Sequence, residues 1–152
     1  MKKLILAFIL LFSGVTACFA DAAEESAQRI ANLEKMLKKV PGATGVADLD
    51  AYVNASAKAG TLAVANSVLL KGVTEGNVTP ETIKALTEGL KGEKEALEES
   101  TKLAPKAVEG LKGLNPLKIG KAKKALDFGN TCTKIVTEET VYQTQVITNL
   151  VK

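Results

Sequence analysis

Apolar side chains return every three to four residues along most of this chain, the spacing of one face of an α-helix, with polar and charged residues between them. The first such stretch runs from about Ala22 to Lys39. Ile30, Leu33 and Leu37 share a face there, Glu24 and Glu25 favour the N-terminal end, Lys38 and Lys39 favour the C-terminal end, and Pro41-Gly42 stops it. Arg29, the only arginine, is expected to be a solvated or salt-bridging surface residue of this helix. A second helix is expected from an Asp48 N-cap to around Gly72. Its heptad seam reads Leu49, Val53, Ser56, Gly60, Ala63, Ser67 and Leu70, with small residues at the centre. No charge falls between Lys58 and Lys71, so this helix should be covered on several sides and stand at the middle of a bundle, with Ser56, Gly60, Ala63 and Ser67 at the tightest crossing.

Thr79-Pro80-Glu81 opens a third helix with a threonine cap, a proline at the first helical position and an acid in the first turn. Ile83, Leu86, Leu90, Leu97, Ala104, Val108 and Leu111 keep one heptad phase to Gly113, across Pro105. That continuity favours one kinked helix; a break near Ser100 or Thr101 would make two. Glu93, Glu95, Glu98 and Glu99, interleaved with lysines, read as a solvated face. The Glu-Gly-Leu-Lys-Gly sequence at 88–92 recurs at 109–113, two similar turns and too few for a solenoid. The last helix should run from Asn115-Pro116 to Leu150. Its distal half is rich in Thr and Val, as strands are. At 100° per residue, however, Cys132, Ile135, Val136, Tyr142, Val146, Ile147 and Leu150 gather on one side, so helix is favoured. The fold expected is an all-α, up-and-down bundle of four to five helices.

The N-terminus is patterned differently. Lys2 and Lys3 precede an apolar run from Leu4 to Phe12 and then small residues, the order of an export signal. Nine apolar residues are too few to span a membrane, and no later stretch approaches the roughly 20 required. Residues 1–20 are therefore expected to be a signal peptide and 21–152 a single helical domain, periplasmic, secreted or on a bacterial cell surface. Cys18-Phe19-Ala20 suits cleavage before Asp21. Val15-Thr16-Ala17-Cys18 also resembles a bacterial lipoprotein signal, which implies a lipidated Cys18 and a membrane tether.

Charge and chemistry narrow the function. Removing Lys2 and Lys3 leaves 18 basic against 17 acidic residues, too weak a field for nucleic acid, and too few aromatics remain for stacking on bases. Histidine is absent, which removes His-dependent nucleophile pairs and most transition-metal sites. No cofactor or metal is expected, and no enzymatic motif appears; a His-independent hydrolase is the residual option. Cys132, the one cysteine past the leader, reads as a small apolar core residue.

Two constellations stand out. Lys118, Lys121, Lys123 and Lys124 crowd the first turns of the last helix, where exposed N–H groups already favour negative charge, so a bound anion would complement them. That anion would be a lipid headgroup, a saccharide phosphate or an acidic partner. Glu139 and Gln143, one turn apart, point into the middle of the same helix's apolar arc. A carboxylate there needs a cation or hydrogen-bond donors; the pair belongs either to a ligand-lined pocket or to an open groove. Asn77 lies in a weak glycosylation pattern. The reading is a small exported, non-enzymatic helical protein binding a protein or anionic envelope component through a helical face. The alternatives are an amphipathic-helix carrier of lipid or a small apolar ligand, and a lipid-anchored structural lipoprotein. The intact mass of the mature protein tests the leader: a chain beginning at Asp21 is expected, and a diacylated Cys18 at the N-terminus would establish the tethered form instead.

Overall fold

The computed structural model describes residues 16–74, 76 and 78–151, with the side chains of 16–20 and 74 left aside. The leader's charged and apolar stretch, the Cys18 side chain and Asn77 lie outside the described residues. Four helices make up the fold among the described residues: α1 (Thr16–Leu37), α2 (Ala47–Thr74), α3 (Pro80–Glu109) and α4 (Pro116–Leu150). No strand occurs among the described residues, so the Thr- and Val-rich half of α4 is helical. Thr137, Thr140, Thr144 and Thr148 each return a hydroxyl to the carbonyl four residues earlier, at 2.7–2.8 Å, which occupies their polar groups inside the helix.

Side-chain contacts give the topology. Ser56 of α2 meets Ser100 of α3 and Thr133 of α4, while Asn66 meets Glu93, which in turn meets Thr140. Numbers rise together on α2 and α4 and fall on α3. On α1, Ser26 and Arg29 reach Glu139, whereas Leu33 lies near Gly60 and Cys132. The bundle is therefore up-down-up-down.

The local signals differ in how well they mark the ends. Thr79 caps α3, accepting from Thr82 N at 3.1 Å, and Asn115 caps α4, accepting from Leu117 N at 3.0 Å. Asp48 does not cap α2: the helix begins one residue earlier, at Ala47. Asp50 instead folds back on the preceding loop, accepting from Thr44 N (2.7 Å), Thr44 Oγ1 (2.8 Å) and Gly45 N (3.1 Å). Slight burial pushes its pKa up, but these bonds and the charge of Lys121 outweigh it and hold the carboxyl below its usual value. α3 passes through Pro105 without ending, so the break near Ser100 does not occur. The repeated pentapeptide is mid-helix at 88–92; its second copy leaves the helix and turns at Gly113, φ +82°.

Small residues set the spacing at the crossing of α1, α2 and α4. Ser56, Gly60 and Ala63 are buried, and a Cβ at Gly60 would lie 3.0 Å from Cys132 Sγ and 3.4 Å from Leu37. The fourth expected member, Ser67, is only half-buried; Asn66 takes the inward place one residue earlier. Gly129 supports the Tyr52 ring, which leaves no room for a Cβ, and Tyr52 donates its hydroxyl to Asn130 at 2.8 Å. Gly120, on the same helix, has open space around it. Gly129→Ala should lower stability by about 1–3 kcal/mol through overpacking. Gly120→Ala should raise it by roughly 0.5–1 kcal/mol through helix propensity. Urea unfolding of both variants checks the opposite signs.

Candidate functional site

Two apolar clusters fill the bundle. The larger includes Leu33, Leu49, Tyr52, Ala63, Ala96, Phe128, Cys132 and Val136; the smaller comprises Leu70, Val73, Leu86, Leu90 and Ile147. On every helix that joins both, the residues between the clusters are polar: Asn66 on α2, Glu93 on α3, and Glu139, Thr140 and Gln143 on α4. α1 contributes Ser26 and Arg29 at the same level. A polar layer thus crosses the core.

Glu139 is fully buried and takes three donors: Ser26 Oγ at 2.7 Å and Gln143 Nε2 at 3.2 Å on Oε1, and Arg29 Nε at 3.0 Å on Oε2. The pairing of Glu139 with Gln143 that the helical spacing predicts is therefore present, and both side chains are buried, so it does not stand at an open groove. α1 lies over it. Gln143 Nε2 also donates to the Ala63 carbonyl at 3.1 Å, while its Oε1 is buried without a hydrogen-bond partner among the described residues. Arg29 is mostly buried, pairs with core Glu139 and with Glu25 at 3.6 Å, and stacks its guanidinium 5.9 Å from the centroid of the Tyr142 ring. It is not the surface residue that its place in the sequence suggests. Burial, then the charge of Glu139, pushes the Tyr142 phenol up, against the pull of Arg29.

Glu93 corrects the expectation most sharply. The acidic run places it with Glu95, Glu98 and Glu99, which are exposed, yet it is fully buried. Its Oε2 accepts from Asn66 Nδ2 at 2.9 Å, and its Oε1 lies 2.5 Å from Thr140 Oγ1. Leu86, Glu93, Ser100 and Ala107 all face the core at seven-residue spacing. That heptad signal is in the sequence, hidden by the charge run around it. A Cβ at Gly89 would collide with Asn66, so the glycine one turn before Glu93 makes room for its donor.

A second polar cluster lies within the larger apolar one. The hydroxyls of Ser56, Ser100 and Thr133 stand 2.8–3.1 Å from one another. Beside it, Cys132 donates its thiol to the Ser56 carbonyl, and burial pushes its pKa up to about 11, so it is a neutral core thiol at physiological pH. Glu93 and Glu139 are not joined by a third acid or cysteine into a metal-binding group among the described residues.

The four lysines are all exposed at the end of the bundle where α4 begins. Lys121 Nζ donates to the Ala43 carbonyl at 2.7 Å, which ties the α1–α2 loop to the first turns of α4, and Lys38 and Lys39, just before that loop, are exposed at the same end. Lys35, Lys106 and Lys112 belong to the same end. At this end nine lysines stand with five acids among the described residues, Glu34, Asp48, Asp50, Glu109 and Asp127, whereas the whole chain carries only +3. Leu117, 91% exposed, projects among them. The α4 lysines are legible in the sequence; the contribution of α1 is not, because it depends on how the helices pair.

The chain defines an all-α four-helix bundle, and none of its described helices is long and apolar enough to cross a membrane. It matches no family model, no curated protein and no solved structure. Arg29→Leu should cost about 3 kcal/mol, because it leaves Glu139 buried without its cation. Adding Glu139→Leu should recover most of that loss; urea unfolding of the single and double variants measures the coupling.

Proposed function

We propose that this is a small exported helical protein that docks its basic end onto an anionic phospholipid surface. The observation that carries the reading is that two exposed basic segments, 35–39 and 118–124, lie at one end of the bundle, with Leu117 exposed beside the second. Lysines near an anionic membrane contribute about 1 kcal/mol each, and a leucine projecting among them reaches the acyl boundary while the cations hold headgroup phosphates. The N-terminus of α4 adds its own preference for anions, and a phosphate there offsets the repulsion between that helix end and its lysines. Export rests on the charged and apolar order of residues 1–20, and the bundle acts by binding, without chemistry of its own.

Sedimentation with vesicles tests this. The mature protein should bind vesicles rich in phosphatidylglycerol and release them as salt rises, while pure phosphatidylcholine vesicles bind little. Changing Lys118, Lys123 and Lys124 to Gln removes about 3 kcal/mol at the rule above, so affinity should fall on the order of 100-fold. Lys121 is left in place because it holds the loop. Equal binding to both vesicle types, or an unchanged affinity in the folded triple variant, would overturn the reading.

A further inference from the structure

Thr140 has one hydroxyl hydrogen and two acceptors facing it. Its Oγ1 lies 2.5 Å from Glu93 Oε1 and 2.7 Å from the Val136 carbonyl oxygen. The carbonyl cannot donate. With Glu93 ionised, a single hydrogen would have to be shared between both contacts, leaving each oxygen pair only part of a bond at full hydrogen-bond distance. A hydrogen on Glu93 Oε1 removes the conflict: the acid donates to Thr140, Thr140 donates to Val136, and Asn66 Nδ2 donates to the acid's other oxygen.

The surroundings favour the same state. From α1 the cation at this level is Arg29, already engaged by Glu139 and Glu25. α2 presents neutral Asn66 and has no charged residue between Lys58 and Lys71. α4 presents Thr140, the carboxylate of Glu139 with its three donors, and the Tyr142 phenol beyond it. On α3 itself Lys94 is exposed.

We infer that Glu93 is a proton-binding site: a neutral carboxylic acid in the folded bundle, whose deprotonation weakens the hold of α3 on α2 and α4. The two core acids thereby take different roles, Glu139 as the ion paired with Arg29 and Glu93 as the proton holder. Burial is the largest influence on Glu93 and raises its pKa; the charge of Glu139 acts in the same direction, against the contacts with Thr140 and Asn66 and the charge of Lys94. A folded value above the unfolded one makes the sign definite. Stability from this group is whole below the ordinary carboxylate range and is lost as pH climbs from there through the folded value.

Carbon-13 NMR of the native protein, with glutamate carboxyls labelled and Glu93 assigned, tests the site directly. The Glu93 carboxyl carbon should keep the chemical shift of the protonated acid after the exposed glutamates have titrated. In urea unfolding, the unfolding constant should rise by up to ~10-fold per pH unit across that window, and Glu93→Gln, which keeps a neutral group of similar shape, should abolish that rise. A Glu93 carbon that titrates together with exposed glutamates overturns the inference, as does a folded Glu93→Gln variant with the native pH dependence. If that variant does not fold, the NMR titration alone decides.

Discussion

Two carboxyl groups stand in the middle of an otherwise apolar bundle, and the rest of the architecture is arranged around satisfying them. Removing an ion from water costs several kcal/mol unless donors replace its hydration. Here α1, α2 and α4 supply partners at one height to acids carried by α3 and α4: Ser26 and Arg29 from α1 and Gln143 from α4 donate to Glu139, while Asn66 from α2 donates to Glu93, which also pairs with Thr140 from α4. Sliding any helix by a turn would strip Glu139 or Glu93 of partners and bring apolar groups against them. The polar layer therefore ties the register of four helices together, a constraint that aliphatic packing, tolerant of shifts between similar side chains, does not impose by itself.

Close approach of the backbones makes the layer possible. Ser56, Gly60 and Ala63 let α2 sit near α1 and α4, and Gly89 leaves space for Asn66 against α3. These short side chains contribute little apolar area, about 25 cal/mol for each Å² removed from water. The bundle offsets that by covering α2 on several sides and by bonding its buried hydroxyls to one another. α1 is the lightest partner, with Leu33 and Ser26 its only buried residues in the described side chains. Much of its attachment is the Ser26 and Arg29 contact with Glu139, so polar chemistry and helix docking are one interaction there.

The charge distribution is a consequence of topology. α1 ends and α4 begins at the same end because the helices alternate in direction. Lysines about 80 residues apart in sequence, Lys39 and Lys118 among them, consequently lie at one end of the bundle. An almost neutral chain thereby acquires a basic end from two short basic segments far apart in sequence, and this segregation gives the proposed docking its physical basis.

Periodicity alone determined that the body of the chain is helical, roughly where its four helices lie, that Thr79-Pro80 and Asn115-Pro116 start two of them, and that Glu139 and Gln143 face inward. These are local matters of 3.6-residue spacing and capping chemistry, readable within a single helix. Tertiary structure alone decided that Asn66 and Thr140 stand opposite Glu93 and make its core position tenable, that Arg29 is the cation of Glu139, that Asn66 and not Ser67 turns inward, and that Asp50 ties a loop where the local pattern favours a cap at Asp48. Each depends on which neighbour stands opposite. A helical wheel gives the direction of a side chain but not what waits there, and for buried polar groups the partner settles whether the position is tenable.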